Sequence, residues 1–166
     1  LGELSNGAFD YRLNPAKLGT ELHRELFSWL DMLGGDEFER LTAMETKLRS
    51  DQGGVSRLLA EIPPITEAGW DKQLGAYWYA HDFMETVGEA RHQRNFHVIT
   101  QPTEADLPAG AGISPEVISE NLWLAELTIV DGDGDLDFGF YALLDPEASN
   151  EAFHPIWLPL GLWERL

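Results

Sequence analysis

The chain has 166 residues, of which 43% are hydrophobic, and its 29 acidic and 11 basic side chains give a formal net charge of −18. This length is that of one ordinary domain with one core, and the hydrophobic content excludes a chain that is disordered throughout. The absence of cysteine excludes disulfides and sulfur-based zinc sites and favours a cytoplasmic protein. No apolar run approaches the roughly 20 residues of a membrane span, so we expect a soluble protein without a membrane partner.

The negative charge limits the choice of partner. A nucleic-acid-binding surface needs clustered lysine and arginine, whereas here only Arg91 and Arg94 form a close pair within a predicted helix. We therefore expect no nucleic-acid partner. An acidic surface attracts a basic protein through long-range steering, and general solubility is the alternative explanation of the charge.

Two helices are predicted near the N-terminus, after an arm or short strand over residues 1–13. The first begins at Thr20, a capping residue, and ends at Gly34 and Gly35. The second begins at Asp36, which is placed to cap it together with Glu39. The apolar stripe of the first helix consists of Leu22, Leu26, Trp29, Leu30 and Leu33.

Residues 34–38 read GGDEF, a string that resembles the signature of diguanylate cyclases. In that family the string lies on a β-hairpin and is followed by an apolar strand, whereas here ERLTAMETKLRS follows with a helical period. The family also places a metal-binding aspartate and an Asn-Asp pair upstream, where this chain offers only Asp10 and Asp31. The sequence therefore favours a helix boundary over a nucleotide-condensing active site.

A longer helix is predicted over residues 73–93. A helical conformation would place His81, Glu85 and His92 in one narrow sector, with Glu89 beside them. Imidazoles and carboxylates on one face are potential ligands for iron, manganese or zinc, and Glu89 and His92 match the Glu-x-x-His spacing of di-iron bundles. The first helix lacks a second such motif, so a solvated polar face is the favoured interpretation and the metal site is the alternative.

The second half of the chain is predicted to be rich in β-strands. LWLAELTIV and LDFGFYALL flank DGDGD, which indicates a hairpin over residues 122–144. The apolar tail over residues 154–166 contains prolines and a glycine, and we expect an edge strand or an irregular cover. These elements predict one α+β domain over residues 1–166, with helices in about 18–95 packed on a small antiparallel sheet in about 96–166.

The predicted hairpin loop suggests a calcium site because it carries four aspartates at alternate positions. An EF-hand loop needs a glycine at its sixth position and a glutamate at its twelfth, where this chain has Leu136 and Ala142. A solvated hairpin tip is therefore the favoured interpretation. The four aspartates are Asp131, Asp133, Asp135 and Asp137.

The chain shows neither a Ser-His-Asp triad nor a glycine-rich phosphate loop before a helix, so the balance is against an enzyme. We expect a binding protein of the inhibitor or immunity type with a basic protein partner and no cofactor. One alternative is a metal-dependent enzyme that uses the helix around residues 81–92, and another is a non-catalytic subunit that docks through its apolar tail. The predicted partner-binding residues are Asp131, Asp133, Asp135, Asp137, Trp157 and Trp163.

Overall fold

A computed structural model describes residues 10–52, 57–118 and 121–165. The predicted arm over residues 1–13 lies mostly outside these ranges. Four helices come first in the chain, and a four-stranded sheet with two further short helices follows. The helices are α1 (Pro15–Gly34), α2 (Phe38–Ser50), α3 (Leu58–Glu61), α4 (Glu67–Ala80), α5 (Pro115–Ile118) and α6 (Pro146–Ala152). The strands are β1 (Phe96–Ile99), β2 (Trp123–Thr128), β3 (Phe138–Leu144) and β4 (Trp157–Glu164).

Helix α1 begins five residues before the predicted start. Asn14 caps the helix by accepting a hydrogen bond from the Lys17 backbone N–H, and Pro15 occupies the first turn. Thr20 lies within the helix, where its hydroxyl donates to the Ala16 carbonyl oxygen. The predicted end at Gly34 is confirmed.

The GGDEF string joins two helices, as the sequence predicts, but the predicted capping box does not form. Asp36 has a left-handed backbone with φ of 52°, and α2 begins at Phe38 without a side-chain cap. The Asp36 carboxylate instead accepts a hydrogen bond from Trp78 Nε1 at 2.8 Å. This aspartate therefore links the helix boundary to α4.

Helix α4 ends at Ala80, so the predicted helix over residues 73–93 is wrong beyond that point. His81 has an extended backbone, and the Tyr77 hydroxyl donates to the Phe83 carbonyl oxygen at 2.6 Å, which ties the departing chain back to α4. Tertiary contacts of this kind override local helical periodicity. Two short 3₁₀ helices, Gly88–Arg91 and Gln93–Asn95, follow.

The four strands are antiparallel and lie in the order β1-β2-β3-β4. The predicted hairpin is confirmed, since β2 pairs with β3 and Thr128 lies opposite Gly139. The predicted edge strand is also confirmed, because β4 forms one edge of the sheet and contains Pro159 beside a register shift. The fold class is therefore α+β, with mainly N-terminal helices and a C-terminal antiparallel sheet.

Two buried glutamines cover the outer edge of β4. The Gln52 side chain donates to the Trp157 carbonyl oxygen at 2.9 Å, and Gln73 Oε1 accepts from the Leu162 backbone N–H at 2.8 Å. These amides satisfy backbone groups that no neighbouring strand pairs. Helices α2 and α4 thus close this edge of the sheet.

Both faces of strands β2, β3 and β4 are largely buried, whereas β1 is partly exposed. One face packs on α1, α2 and α4 around an aromatic cluster in which Trp29 lies 5.3 Å from Trp157 and 6.3 Å from Trp70, measured between ring centroids. The other face carries Leu124, Leu143 and Leu158 and packs against α3 and α6. The apolar tail therefore lies in the core of this chain.

Candidate functional site

The acidic loop, defined as residues 131–137, joins β2 to β3 and folds around its first carboxylate. Asp131 is only 1% exposed. Its Oδ1 accepts hydrogen bonds from the backbone N–H groups of residues 133, 134 and 135, and its Oδ2 accepts one from residue 136. Gly132 and Gly134 have positive φ angles, which allow the backbone to curl around the carboxylate.

His81 closes the acidic loop from the α4 side. Its Nδ1 lies 3.1 Å from Asp133 Oδ2, and its Nε2 lies 2.7 Å from Asp137 Oδ1 and 3.8 Å from Asp131 Oδ2. Burial on its own lowers the pKa of His81, but the hydrogen bonds and charges of the three aspartates outweigh burial and raise it. The surroundings therefore favour the protonated imidazolium, which is a cation held among three carboxylates.

The position of His81 is fixed by the packing of its ring. The residue follows the last turn of α4 and is 3% exposed. The Tyr77 ring centroid lies 5.1 Å from that of His81, and the Phe138 ring meets the imidazole edge-on at 5.9 Å. Side chains from α4 and β3 therefore hold the imidazole in place.

The outer part of the acidic loop faces solvent. The side chains of Asp133 and Asp137 are 60% and 46% exposed, and Asp135 is exposed as well. We call these three residues the acidic rim. Phe83 is 53% exposed and lies against the loop, since a Cβ placed on Gly132 would meet the Phe83 ring at 3.0 Å. The site thus combines the buried, charged side chains of His81 and Asp131, the acidic rim above them and the exposed aromatic ring of Phe83.

The described residues also contain two groups with metal-ligating potential. His81, Asp131 and Asp137 offer ligand atoms within 4.8 Å of one another, and so do His81, Asp133 and Asp135. One imidazole with two carboxylates suits zinc, manganese or iron. The 2.7 Å separation of His81 Nε2 from Asp137 Oδ1 is nevertheless a hydrogen-bonding distance, whereas two ligand atoms around a tetrahedral zinc lie about 3.4 Å apart.

The other predicted metal ligands do not share a helical face with His81, because α4 ends before them. Glu85 accepts a hydrogen bond from the Ala90 backbone N–H, and Glu89 pairs with Arg94. His92 Nδ1 accepts from the Arg94 backbone N–H. The helical geometry that suggested a ligand set of His81, Glu85, Glu89 and His92 is therefore wrong.

The predicted partner-binding residues have different surroundings. Asp133, Asp135 and Asp137 are accessible to a partner, whereas Asp131 is buried within its own loop. Trp157 is 0% exposed. Trp163 is partly buried, covers Gly110 and donates its Nε1–H to the Leu160 carbonyl oxygen.

The sequence reasoning missed Phe83 and the contact of His81 with the loop. The alternating aspartates mark the loop in the sequence, but nothing near His81 in the chain indicates a partner that lies 50 residues away.

The chain is similar to a known protein family. A family model described as "Domain of unknown function (DUF3516)" matches residues 7–158. Neither the curated proteins nor the solved structures contain a match. Within the described ranges, no helix has the length and apolar character needed to cross a membrane.

Proposed function

This chain belongs to the family of the domain of unknown function DUF3516, and we propose that it acts by binding a basic protein partner and blocking that partner's surface, as an inhibitor or immunity protein does. The observation that carries the proposal is the acidic rim. Asp133, Asp135 and Asp137 are held at the surface by a loop whose backbone is hydrogen-bonded to the buried Asp131 carboxylate. Exposed carboxylates on an ordered loop are suited to pair with lysine or arginine side chains of a docked protein.

The charge of the whole chain supports the same proposal. A formal net charge of −18 produces a negative field that steers a basic protein toward the surface and repels nucleic acid. This field weakens with salt because the Debye length falls from about 10 Å at 0.1 M to about 3 Å at 1 M. The absence of cysteine supports a cytoplasmic setting for this activity.

Replacing Asp133 and Asp135 with asparagine tests the acidic rim. We expect the double variant to bind a basic probe protein roughly 3- to 10-fold more weakly at about 50 mM salt, because two of the three rim charges are lost. The measurement is calorimetric titration with one basic probe protein, repeated at about 300 mM salt, where the difference should shrink.

The matched control removes two carboxylates that lie outside the acidic loop, in α2 and in the short 3₁₀ turn Glu104–Asp106. Glu39 and Glu104 are exposed, and their conversion to glutamine changes the net charge by the same amount. We expect this control to weaken binding less than twofold, since it leaves all three carboxylates of the acidic rim in place. Equal losses in the two double variants would mean that the net charge, rather than the acidic rim, attracts the probe.

A divalent metal centre is the second candidate function, because His81, Asp131 and Asp137 bring three potential ligand atoms within 4.8 Å of one another. A metal there would need a neutral imidazole and would supply Lewis acidity to a hydrolytic or redox enzyme. Its test is the metal content of untagged protein after dialysis against a weak chelator, measured by elemental mass spectrometry. Near-stoichiometric zinc, manganese or iron that is lost in His81→Ala would support this candidate, and metal-free protein would contradict it.

A third hypothesis is a non-catalytic subunit of a larger assembly, and the burial of the apolar tail favours a docking surface elsewhere on the chain. Trp157, Leu158 and Leu162 are buried in this chain's own sheet and are therefore not free to enter a partner.

A further inference from the structure

An exposed aromatic ring adjoins the acidic rim. Phe83 is 53% exposed and lies against Gly132, which is the immediate neighbour of Asp133. A large apolar side chain with this exposure, next to several carboxylates, offers a partner two kinds of contact at once. The face of an aromatic ring carries negative electrostatic potential and attracts cations, as do the carboxylates beside it.

The chain contains an example of one side chain that uses both contacts. The Arg91 guanidinium lies 5.0 Å from the centroid of the Phe27 ring, and Arg91 Nη2 lies 3.2 Å from Asp31 Oδ2. The guanidinium lies over the ring and at the same time donates to the carboxylate. This group shows, elsewhere in the chain, how one arginine can contact an aromatic ring and an aspartate together.

We propose that the basic partner is recognised through arginine rather than lysine, with a guanidinium stacked on Phe83 and hydrogen-bonded to Asp133 of the acidic rim. This inference rests on the proposed function, because it names the chemistry of the partner for the same site. Charge complementarity selects a cationic occupant, and the adjoining ring selects the planar cation that can donate along its edge while its face stacks.

Lysine would use only part of this site. Its ammonium group is a compact, strongly hydrated charge that pairs with a carboxylate but does not stack. A cation–π contact at an exposed site is worth roughly 0.5–1 kcal/mol, or about a 2- to 5-fold gain in affinity, and arginine makes it more readily than lysine because the guanidinium is less strongly hydrated. Bidentate pairing of arginine with a carboxylate adds to this gain.

The test compares two synthetic peptides that are identical except that one carries arginine and the other lysine at every basic position. We expect the arginine peptide to bind the wild-type chain about 3- to 10-fold more tightly in fluorescence-anisotropy titrations. Phe83→Leu keeps an apolar side chain but removes the ring, and it should reduce the arginine preference to the part that bidentate pairing with a carboxylate supplies. Asp133→Asn should weaken both peptides.

The outcomes separate this inference from the proposed function. Equal binding of the two peptides to the wild-type chain, or an arginine preference that is as large in Phe83→Leu as in the wild type, would overturn the role of Phe83 while leaving the acidic surface intact. Failure of both peptides to bind at low salt would overturn the proposed function as well. Thermal melting of Phe83→Leu shows whether the variant folds, and Phe83→Tyr, which keeps a ring, should retain the arginine preference.

Discussion

Replacing His81 with glutamine is expected to lower the free energy of unfolding by about 2–4 kcal/mol. The substitution removes a buried cation and leaves Asp131, Asp133 and Asp137 facing one another without a counter-charge. Removing one partner of a fully buried ion pair lowers the free energy of unfolding by about 3–5 kcal/mol. The expected loss is smaller here because Asp133 and Asp137 are partly exposed to water. Urea unfolding followed by tryptophan fluorescence measures the loss.

The loss of unfolding free energy caused by His81→Gln should become smaller as the pH rises. The pKa of His81 in the folded chain is raised above the reference value of 6.5, so protonation of His81 stabilises the fold. This contribution is fully present below the unfolded pKa and is lost as the pH rises through the folded pKa. The difference in unfolding free energy between the wild type and His81→Gln should therefore be largest below about pH 6.5 and shrink as the pH rises through the raised pKa of His81 in the folded chain.

A divalent cation provides a control on this interpretation. If His81 acts as the internal cation of the acidic loop, calcium should raise the melting temperature of His81→Ala more than that of the wild type, because carboxylate oxygens are the ligands that calcium prefers. A His81→Gln protein as stable as the wild type, with no dependence on pH, would contradict the ionic role of His81.

Gly161→Ala is expected to destabilise the chain by about 3–5 kcal/mol. Gly161 has a φ of +115°, which L-residues with side chains rarely adopt, and a Cβ there would lie 2.3 Å from Gln73 Oε1. That oxygen accepts the hydrogen bond of the buried Leu162 backbone N–H, so the added methyl group both strains the backbone and displaces the acceptor. Urea unfolding measures the effect.

Gly75→Ala is the matched control, since it makes the same chemical change in the exposed interior of α4 with no heavy atom within 4 Å. We expect it to stabilise the chain by about 0.5–1 kcal/mol through helix propensity. In a Gln73→Ala background, Gly161→Ala should cost less than in the wild type, because the colliding side chain is gone. Equal unfolding midpoints for Gly161→Ala and the wild type would contradict the close approach of Gln73.

The elements that the sequence predicts correctly are those with strong local signals. The glycine pair ends α1, the Asp-Gly steps mark the hairpin, and Pro159 marks the edge strand. Helix α6 is absent from the elements predicted above, although Asp145 caps it and Pro146 occupies its first turn, a combination that indicates the start of a helix.

The features that could not be predicted depend on contacts between distant parts of the chain. Residues 81–93 have a helical period, yet α4 ends at Ala80. The His81 side chain contacts the acidic loop, which lies about 50 residues further along the chain. The same alternating aspartates include a buried residue, Asp131, and an exposed residue, Asp133, and period-2 spacing does not distinguish them. The local pattern identified the acidic loop but not its chemistry.

The two glutamines that cover the outer edge of β4 also determine which edge of the sheet is open to an additional strand. An additional strand cannot join β4 while Gln52 and Gln73 occupy its outward backbone groups. At the opposite edge, β1 contains neither proline nor lysine, so β1 is the edge at which a further strand can pair, over no more than its four residues. In amide hydrogen exchange, the outward N–H of Leu162 should therefore be protected like an interior amide, whereas outward amides of β1 should exchange quickly.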